Sequence, residues 1–124
     1  MNKLTEEHLI MLNEKVSKQN GEVPKVRDMN LLKKVVDDPY IQDKEFFYIY
    51  KTKVDKAAKL GTGIVKNKPF ANNNVATATL AIFTFLELNG KKIVATQNEI
   101  YKLHDLLIND NESEVIDWLK THIK

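Results

Sequence analysis

The stretch from residue 75 to residue 88 constrains the fold most, because its side chains are apolar on nearly every side of a helix. Its polar members are Thr77, Thr79, Thr84 and Glu87. A helix that lacks a polar face has to be surrounded by other elements. The stretch is also shorter than the about 20 residues that a bilayer span needs. It therefore predicts a central buried helix, ended by Asn89-Gly90, and not a membrane anchor.

Apolar side chains at steps of three and four predict amphipathic helices on both sides of this segment. Thr5 is the predicted N-cap of a first helix that Asn20-Gly21 ends, and Asp28 caps a second helix that stops before Pro39. Thr96 and Glu99 have the spacing of a capping box. The predicted buried positions are Leu9, Leu12, Val16, Leu31, Leu32, Val35, Val36, Ile100, Leu103, Leu107, Val115, Ile116, Leu119 and Ile123, with Trp118 alongside. Since 124 residues leave room for one core, we expect a compact all-α domain over 1–124 with about six helices.

A longer third helix is predicted between these, because one apolar face continues from Phe47 to Val65. The aromatic residues near its start are interpreted mostly as core, and they are Phe46, Phe47, Tyr48 and Tyr50. Four lysines fall within one broad sector of the same helix, and they are Lys51, Lys56, Lys59 and Lys66. This sector is interpreted as a solvated face, the alternative being a groove for nucleic acid. A formal net charge of only +2 favours the solvated face, so a nucleic-acid partner is not expected.

The absence of cysteine excludes disulfides, thiolate metal sites and cysteine nucleophiles. His8, His104 and His122 fall on three different predicted helices, with no second histidine or carboxylate three or four residues further on. They are therefore interpreted as surface residues, and no metal site is predicted. The first eight residues lack the apolar run of a signal peptide, so the cytoplasm is the expected location.

The polar segment that leads into the buried helix is the strongest candidate site in the sequence. Unpaired amides at a helix start attract anions, and Asn73 and Asn74 tolerate the left-handed backbone that a concave anion nest requires. Lys68 adds a positive charge and Asn72 a neutral ligand at the rim. The alternative is a plain turn between helices with an asparagine N-cap.

The same segment, read from Lys68 as Lys-Pro-Phe-Ala-Asn-Asn-Asn-Val-Ala to Ala76, resembles the signature of the Fic/Doc (death-on-curing) family, H-P-F-x-D-G-N-K-R-T-A. The stretches around Leu4 to Leu9, Lys56 to Leu60 and Phe85 to Gly90 are similar to the family as well. The resemblance implies a helical Fic/Doc fold in which a motif loop, residues 68–76, leads into the central helix 75–88.

The resemblance also implies a chemistry. In the family the motif histidine is a general base, the acid holds Mg²⁺ on nucleotide phosphates, the following backbone forms an anion nest and the arginine pairs with a phosphate. Members transfer AMP from ATP to a protein, or, in Doc toxins, a phosphoryl group to elongation factor Tu, and an antitoxin inhibits those toxins. Carried over, this implies ATP and Mg²⁺ as cofactors, an antitoxin and a translation factor as partners, and nucleotide contacts by Phe70, Asn73 and Asn74. It further suggests a target-docking flap around residues 41–46.

The sequence departs from the signature where the chemistry is done. Lys68 replaces the base, Asn72 the acid and Ala76 the arginine, while Asn73 and Val75 replace the glycine and the lysine. A lysine is a cation at neutral pH and cannot accept a proton, an amide brings no charge to Mg²⁺, and alanine cannot hold a phosphate. We therefore expect a Doc-like toxin homologue that is weak or inactive as a transferase and acts by binding. The alternative is an active phosphoryl- or adenylyltransferase in which Lys68 positions a phosphate.

Overall fold

The computed structural model describes residues 2–124, and six α-helices account for most of them. The helices are α1 (Glu6–Gln19), α2 (Met29–Asp37), α3 (Lys53–Asn67), α4 (Asn74–Leu88), α5 (Gln97–Ile108) and α6 (Glu112–His122), and a short 3₁₀ turn, Asp38–Tyr40, follows α2. In the described part of the chain, extended backbone pairs only as isolated bridges. The predicted all-α class with about six helices is confirmed.

Side-chain caps fix where most of these helices begin. Thr5, Thr52 and Thr96 each form a capping box with the residue three positions later, and Asp28 and Asn111 accept hydrogen bonds from the first turns of α2 and α6. Each cap satisfies backbone N–H groups that have no partner within the helix. The predicted caps at Thr5, Asp28 and Thr96 are thereby confirmed.

Helix α4 lies at the centre, packed against α1, α3 and α5. It buries side chains on several faces, as the sequence predicted, and these include Ala78, Ala81, Ile82, Phe85 and Leu86. Gly61 of α3 lies close against α4, since an added Cβ there would lie 2.8 Å from Ile82 Cγ1. The two central helices can therefore touch because α3 carries no side chain at that point. No helix of the described residues is long and apolar enough to cross a bilayer.

The predicted start of the third helix is wrong. Residues 47–52 are not helical, and α3 begins only after the Thr52 cap. Residues 41–52 instead form a surface loop, which we call the aromatic loop. Gln42 bridges to Tyr48 across its base, and the Asp43 N–H donates to the Phe47 carbonyl at 2.8 Å. At its tip Phe46 is 79% exposed and Phe47 62% exposed, so these rings are not core residues.

The predicted solvated lysine face is also wrong at Lys56, whose side chain is only 1% exposed. Lys51 lies in the aromatic loop and Lys59 is half-buried, whereas Lys66 is exposed. The aromatic loop folds over the start of α3 and covers Lys56. Helical periodicity could not reveal this, because the covering residues lie outside the helix.

The interpretation of all three histidines as surface residues is wrong for His104 and His122, which are both half-buried. His8 is exposed and completes the α1 capping box, and His104 is half-buried. His122 stacks on Trp118 with 4.0 Å between ring centroids, and its Nε2 lies 2.6 Å from Glu99 Oε2. Burial alone would lower the pKa of His122, but the Trp118 carbonyl and the Glu99 carboxylate raise it above its usual value. This pair joins the end of α6 to the start of α5.

Candidate functional site

The motif loop, residues 68–76, is held by its own aromatic residue. The Phe70 ring is 1% exposed and belongs to the core, next to buried Pro69. Phe70 also bridges to Val26, and the Ala71 N–H donates to the Lys25 carbonyl at 2.9 Å. The Phe70 side chain therefore anchors the loop. It is turned away from the solvent side of the loop, which is the side on which a nucleotide would bind.

Arg27, the chain's one arginine, clamps the end of α3 where the motif loop begins. Its Nε donates to the Lys68 carbonyl at 2.7 Å and its NH2 group to the Asn67 carbonyl at 2.8 Å. Carbonyls at the last turn of a helix lack partners within the helix, and the guanidinium supplies them. This contact could not be predicted from the sequence, because the partners lie about 40 residues apart.

Lys68 lies on the solvent side of this clamp. Its backbone is left-handed, with φ at 50°, and its side chain is exposed. This conformation is unfavourable for a residue that is not glycine. The contacts around Lys68 therefore hold its backbone in place. Lys68 and Asn74 both line a pocket of about 500 Å³ beside the motif loop.

Helix α4 begins differently from the other five helices. Its N-cap is Asn73, in the predicted left-handed conformation with φ at 64°, yet no side chain caps the helix. The side chain of Asn74 is engaged with the loop, since Oδ1 accepts from the Phe70 N–H at 3.1 Å and Nδ2 donates to the Phe70 carbonyl at 2.9 Å. The backbone N–H groups of the first α4 turn are thus left without a side-chain acceptor, at the positive end of the helix.

The predicted site residues do not all converge. The Asn73 side chain faces α1 and the turn after it, away from the pocket, and the Asn72 side chain is exposed and does not line the pocket. Buried Asn13 donates to the Asn72 carbonyl at 2.9 Å, and the Asn73 amide contacts Asn20, Ser17 and Glu22 at 2.9, 3.3 and 3.3 Å. Ala76 lines a groove between α1 and α5 and not the pocket of Lys68. Lys68, Asn74 and the first turn of α4 are the predicted site elements that line the same pocket.

The far wall of the pocket comes from α5 and the turn that follows it. Val65 and Val75 line it with Leu107 and Ile108 of α5, so much of the wall is apolar. Asp110, in the turn before α6, lies 3.6 Å from Lys66 Nζ, and these two residues also border a second pocket of about 330 Å³. Sequence reasoning missed this wall, because nothing in the motif indicates which distant turn packs beside it.

The residues at the motif do not fit a bound Mg²⁺. This cation is held in proteins by carboxylates together with substrate phosphates. Asn72 offers a neutral amide where a carboxylate is needed, and Asp110, which lines the pocket, is paired with Lys66. Within residues 2–124, no three histidine, aspartate or glutamate side chains cluster as metal ligands.

The sequence was compared with models of known protein families. Residues 3–86 match the model of the Fic/DOC family. The match includes α1 to α4 up to Leu86, and thus the whole motif loop, whereas α5 and α6 lie beyond it. No curated protein matches the chain significantly. The matched region exceeds half of the chain, and the chain therefore belongs to the Fic/DOC family.

Proposed function

We propose that this chain is a Doc-like toxin homologue that binds a nucleotide or another phosphate at the start of α4 and is weak or inactive as a transferase. The observation that carries the proposal is the first turn of α4, which has no side-chain cap and opens beside the exposed Lys68. Backbone N–H groups at a helix start together with a nearby cation favour a phosphate. In the Fic/DOC family this is the position of the nucleotide phosphates.

Weak or absent transfer follows from the side chains at the motif. Lysine replaces the family's histidine at position 68, and an ammonium group has no electron pair with which to act as a general base. A base, a metal ligand and a phosphate clamp each contribute separately, a base alone about 10² to 10⁴ in rate. Lys68, Asn72 and Ala76 stand in the places of all three, so the loss is compounded.

The pocket beside the motif loop supports ATP as the ligand more than inorganic phosphate. Its apolar lining, from Val65, Val75, Leu107 and Ile108, suits the flat face of a base, while Lys68 in the same lining suits a phosphate. Because no carboxylate of the motif is available for Mg²⁺, we expect binding that does not require the metal.

Protein partners are part of the proposal. The groove lined by Val16, Leu80, Phe83 and Ile100 has a volume of about 350 Å³ and is largely apolar. An antitoxin helix is the kind of partner that such a groove accepts. The exposed aromatic loop is the corresponding candidate for contact with a translation factor in the cytoplasm.

The test is a pair of measurements with ATP on matched variants. Equilibrium binding of ATP, ADP and AMP is measured with and without Mg²⁺ for the parent, Lys68→Ala and Lys92→Ala. Lys92 is exposed and follows the opposite end of α4, which makes it the control for general charge. We expect Lys68→Ala to lower the affinity for ATP about tenfold or more, because a charged contact with a phosphate is lost. Lys92→Ala should leave the affinity unchanged.

The second measurement uses ATP labelled at the α- or the γ-phosphate in a cell lysate. We expect no labelled protein band above background in either case. A band that disappears in Lys68→Ala would instead establish an active transferase, and the label position would distinguish adenylyl from phosphoryl transfer. Folded protein that binds none of the three nucleotides would contradict the nucleotide proposal.

A further inference from the structure

Lys56 is a buried cation at the start of α3. Its side chain is 1% exposed, and none of the ion pairs among the described residues includes it. Burial lowers the pKa of Lys56, and the neighbouring Asp55 opposes that shift. A buried charge has to be compensated by polar groups around it. The contacts of this ammonium are therefore needed to stabilise it in its buried position.

Those contacts come from the aromatic loop and from the turn before it. The Lys56 ammonium donates a hydrogen bond to the Tyr50 carbonyl. It lies 4.2 Å from the centroid of the Tyr48 ring and 5.9 Å from that of Tyr40. An ammonium is attracted to the face of an aromatic ring within about 6 Å, and more strongly where water is excluded. A carbonyl dipole and two ring faces thus take the place of a carboxylate.

The aromatic loop has little else to hold its shape against α3. Apart from its two ends, where Ile41 bonds to Asp38 and Thr52 caps α3, its backbone hydrogen bonds join it to itself, from Asp43 to Phe47 and from Ile49 to Ile41. The Gln42 side chain likewise donates to the Phe46 carbonyl at 3.0 Å. The tip residues Phe46 and Phe47 are exposed and contribute little burial. Lys56 bonds to the Tyr50 carbonyl and contacts the Tyr48 ring in the middle of the loop. Lys59 adds a longer contact, with its Nζ 5.5 Å from the Tyr50 ring centroid.

We infer that Lys56 is the positioning residue of the aromatic loop, and that its charge holds the loop in the conformation that presents Phe46 and Phe47. The inference concerns a different surface from the motif loop and does not depend on the proposed function. A neutral side chain of similar length fills the same space but loses the hydrogen bond to Tyr50 and the attraction to both rings. The loop then opens while α3 keeps its packing.

Amide hydrogen exchange at the loop tests this on the full chain. In Lys56→Met we expect the amides of Asp43 and Ile49 to exchange about tenfold faster, with the amides of α4 little affected. Lys56→Arg, which keeps the charge, is expected to retain most of the protection. Lys66→Met is the matched control, since Lys66 is an exposed lysine near the other end of α3; a change below about twofold is expected. Equal exchange in Lys56→Met and parent would overturn the inference.

A second pair of variants decides the matter if Lys56→Met does not fold. Tyr48 is a half-exposed side chain whose ring lies over the ammonium. Tyr48→Phe keeps the ring face and should leave loop exchange unchanged, whereas Tyr48→Leu removes the face and should accelerate it about threefold or more. Equal effects of the two substitutions would show that the cation does not hold the loop.

Discussion

At the scale of single residues, Gly61 and Gly63 are two positions apart on α3 but have different surroundings. A Cβ at position 61 would lie 2.8 Å from Ile82 Cγ1, whereas one at position 63 would lie 3.5 Å from Val35 Cγ1, an ordinary contact. Overpacking a tight core site costs about 1–3 kcal/mol, while replacing glycine in a helix by alanine gains about 0.5–1 kcal/mol. The two alanine substitutions should therefore have opposite effects.

We expect Gly61→Ala to lower the free energy of unfolding by about 0.5–2 kcal/mol, the overpacking cost less the gain in helix propensity, and Gly63→Ala to leave it unchanged or raise it slightly. Urea unfolding followed by circular dichroism measures both. A Gly61→Ala protein as stable as Gly63→Ala would mean that α3 and α4 approach each other less closely than described.

The contact of His122 with Trp118 and Glu99 makes a second prediction at this scale. Both imidazole nitrogens face oxygen acceptors, Nδ1 the Trp118 carbonyl at 2.7 Å and Nε2 the Glu99 carboxylate at 2.6 Å. The doubly protonated ring satisfies both, in keeping with the raised pKa of His122. A hydrogen bond from the Thr96 backbone, followed by those from His122 and the Thr96 side chain, lowers the pKa of Glu99 to about 2.

Stability from His122 is therefore fully present below pH about 6.5, its usual pKa, and is lost as the pH rises through the raised value. Stability from Glu99 is present above its ordinary pKa of 4.5 and is lost as the pH falls toward about 2. Between pH 6 and pH 9 we expect the melting temperature of the parent to fall more than that of His122→Gln. His8→Gln is the control, since exposed His8 is far from this pair in sequence and caps another helix. Parallel curves for parent and His122→Gln would contradict the assignment.

The residue scale also shows where sequence reasoning reaches its limit. The left-handed backbone at Asn73 was predictable, because asparagine tolerates it. The burial of Lys56 was not, because it depends on a loop that closes from outside the helix. The ion pair of His122 was likewise hidden, since Glu99 lies 23 residues earlier in the chain.

At the scale of elements, the contact between Arg27 and the end of α3 determines how the motif loop begins. The guanidinium bonds to two consecutive carbonyls, of Asn67 and Lys68. Two hydrogen bonds from one planar group fix an orientation that a lysine ammonium cannot reproduce. The left-handed backbone of Lys68 depends on this support.

We expect Arg27→Met to reduce the free energy of unfolding by about 1–2 kcal/mol, as for hydrogen bonds from a charged donor in an exposed site, and to weaken ATP binding by disordering Lys68. Lys25→Met is the matched control, because Lys25 is exposed and supplies only its backbone carbonyl to the loop. Chemical denaturation and the ATP titration described above measure the two effects. Unchanged values for Arg27→Met would show that the two hydrogen bonds of Arg27 do not stabilise the motif loop.

Among the elements, the N-caps of α1, α2 and α5 could be predicted from the sequence, whereas the start of α3 was predicted wrongly. The apolar steps of three and four continue back through Tyr50 to Phe47, which extended the predicted helix into the aromatic loop. The capping box of Thr52 and Asp55 was nevertheless present in the sequence, and would have placed the start of α3 correctly. Long apolar periodicity concealed it, because a loop residue can fall on a helical step by coincidence.

At the scale of the whole molecule, α5 and α6 complete the core although they lie beyond the family match. Leu103, Leu107, Val115 and Leu119 are fully buried in the same cluster as the α3 and α4 side chains. The interpretation of residues 1–124 as one domain therefore predicts that removing residues 97–124 leaves a chain that does not fold. Circular dichroism and proteolysis of the truncated protein test this, and a cooperative melt would show that α1 to α4 form a domain alone.

A restored motif tests whether the molecule still engages a target. Lys68→His, Asn72→Asp and Ala76→Arg together return the family's base, acid and arginine. Since Asn72 and Ala76 do not line the pocket of Lys68, we expect at most a small gain in label transfer, and toxicity on expression only if the docking surface persists. Lys68→His alone is the control. Strong transfer by the triple variant would mean that the three positions converge when nucleotide binds.

The burial of Lys56 has a consequence for the chemical reactivity of the protein. Amine-acylating reagents reach exposed lysines quickly, and Lys56, buried beneath the aromatic loop, is the lysine that such a reagent should reach last. Its acylation requires the loop to lift, so the rate at which this one amine is labelled reports how often the aromatic loop opens. Mass spectrometry of the partly acylated protein would thus measure the opening of a surface loop through the labelling of a buried residue.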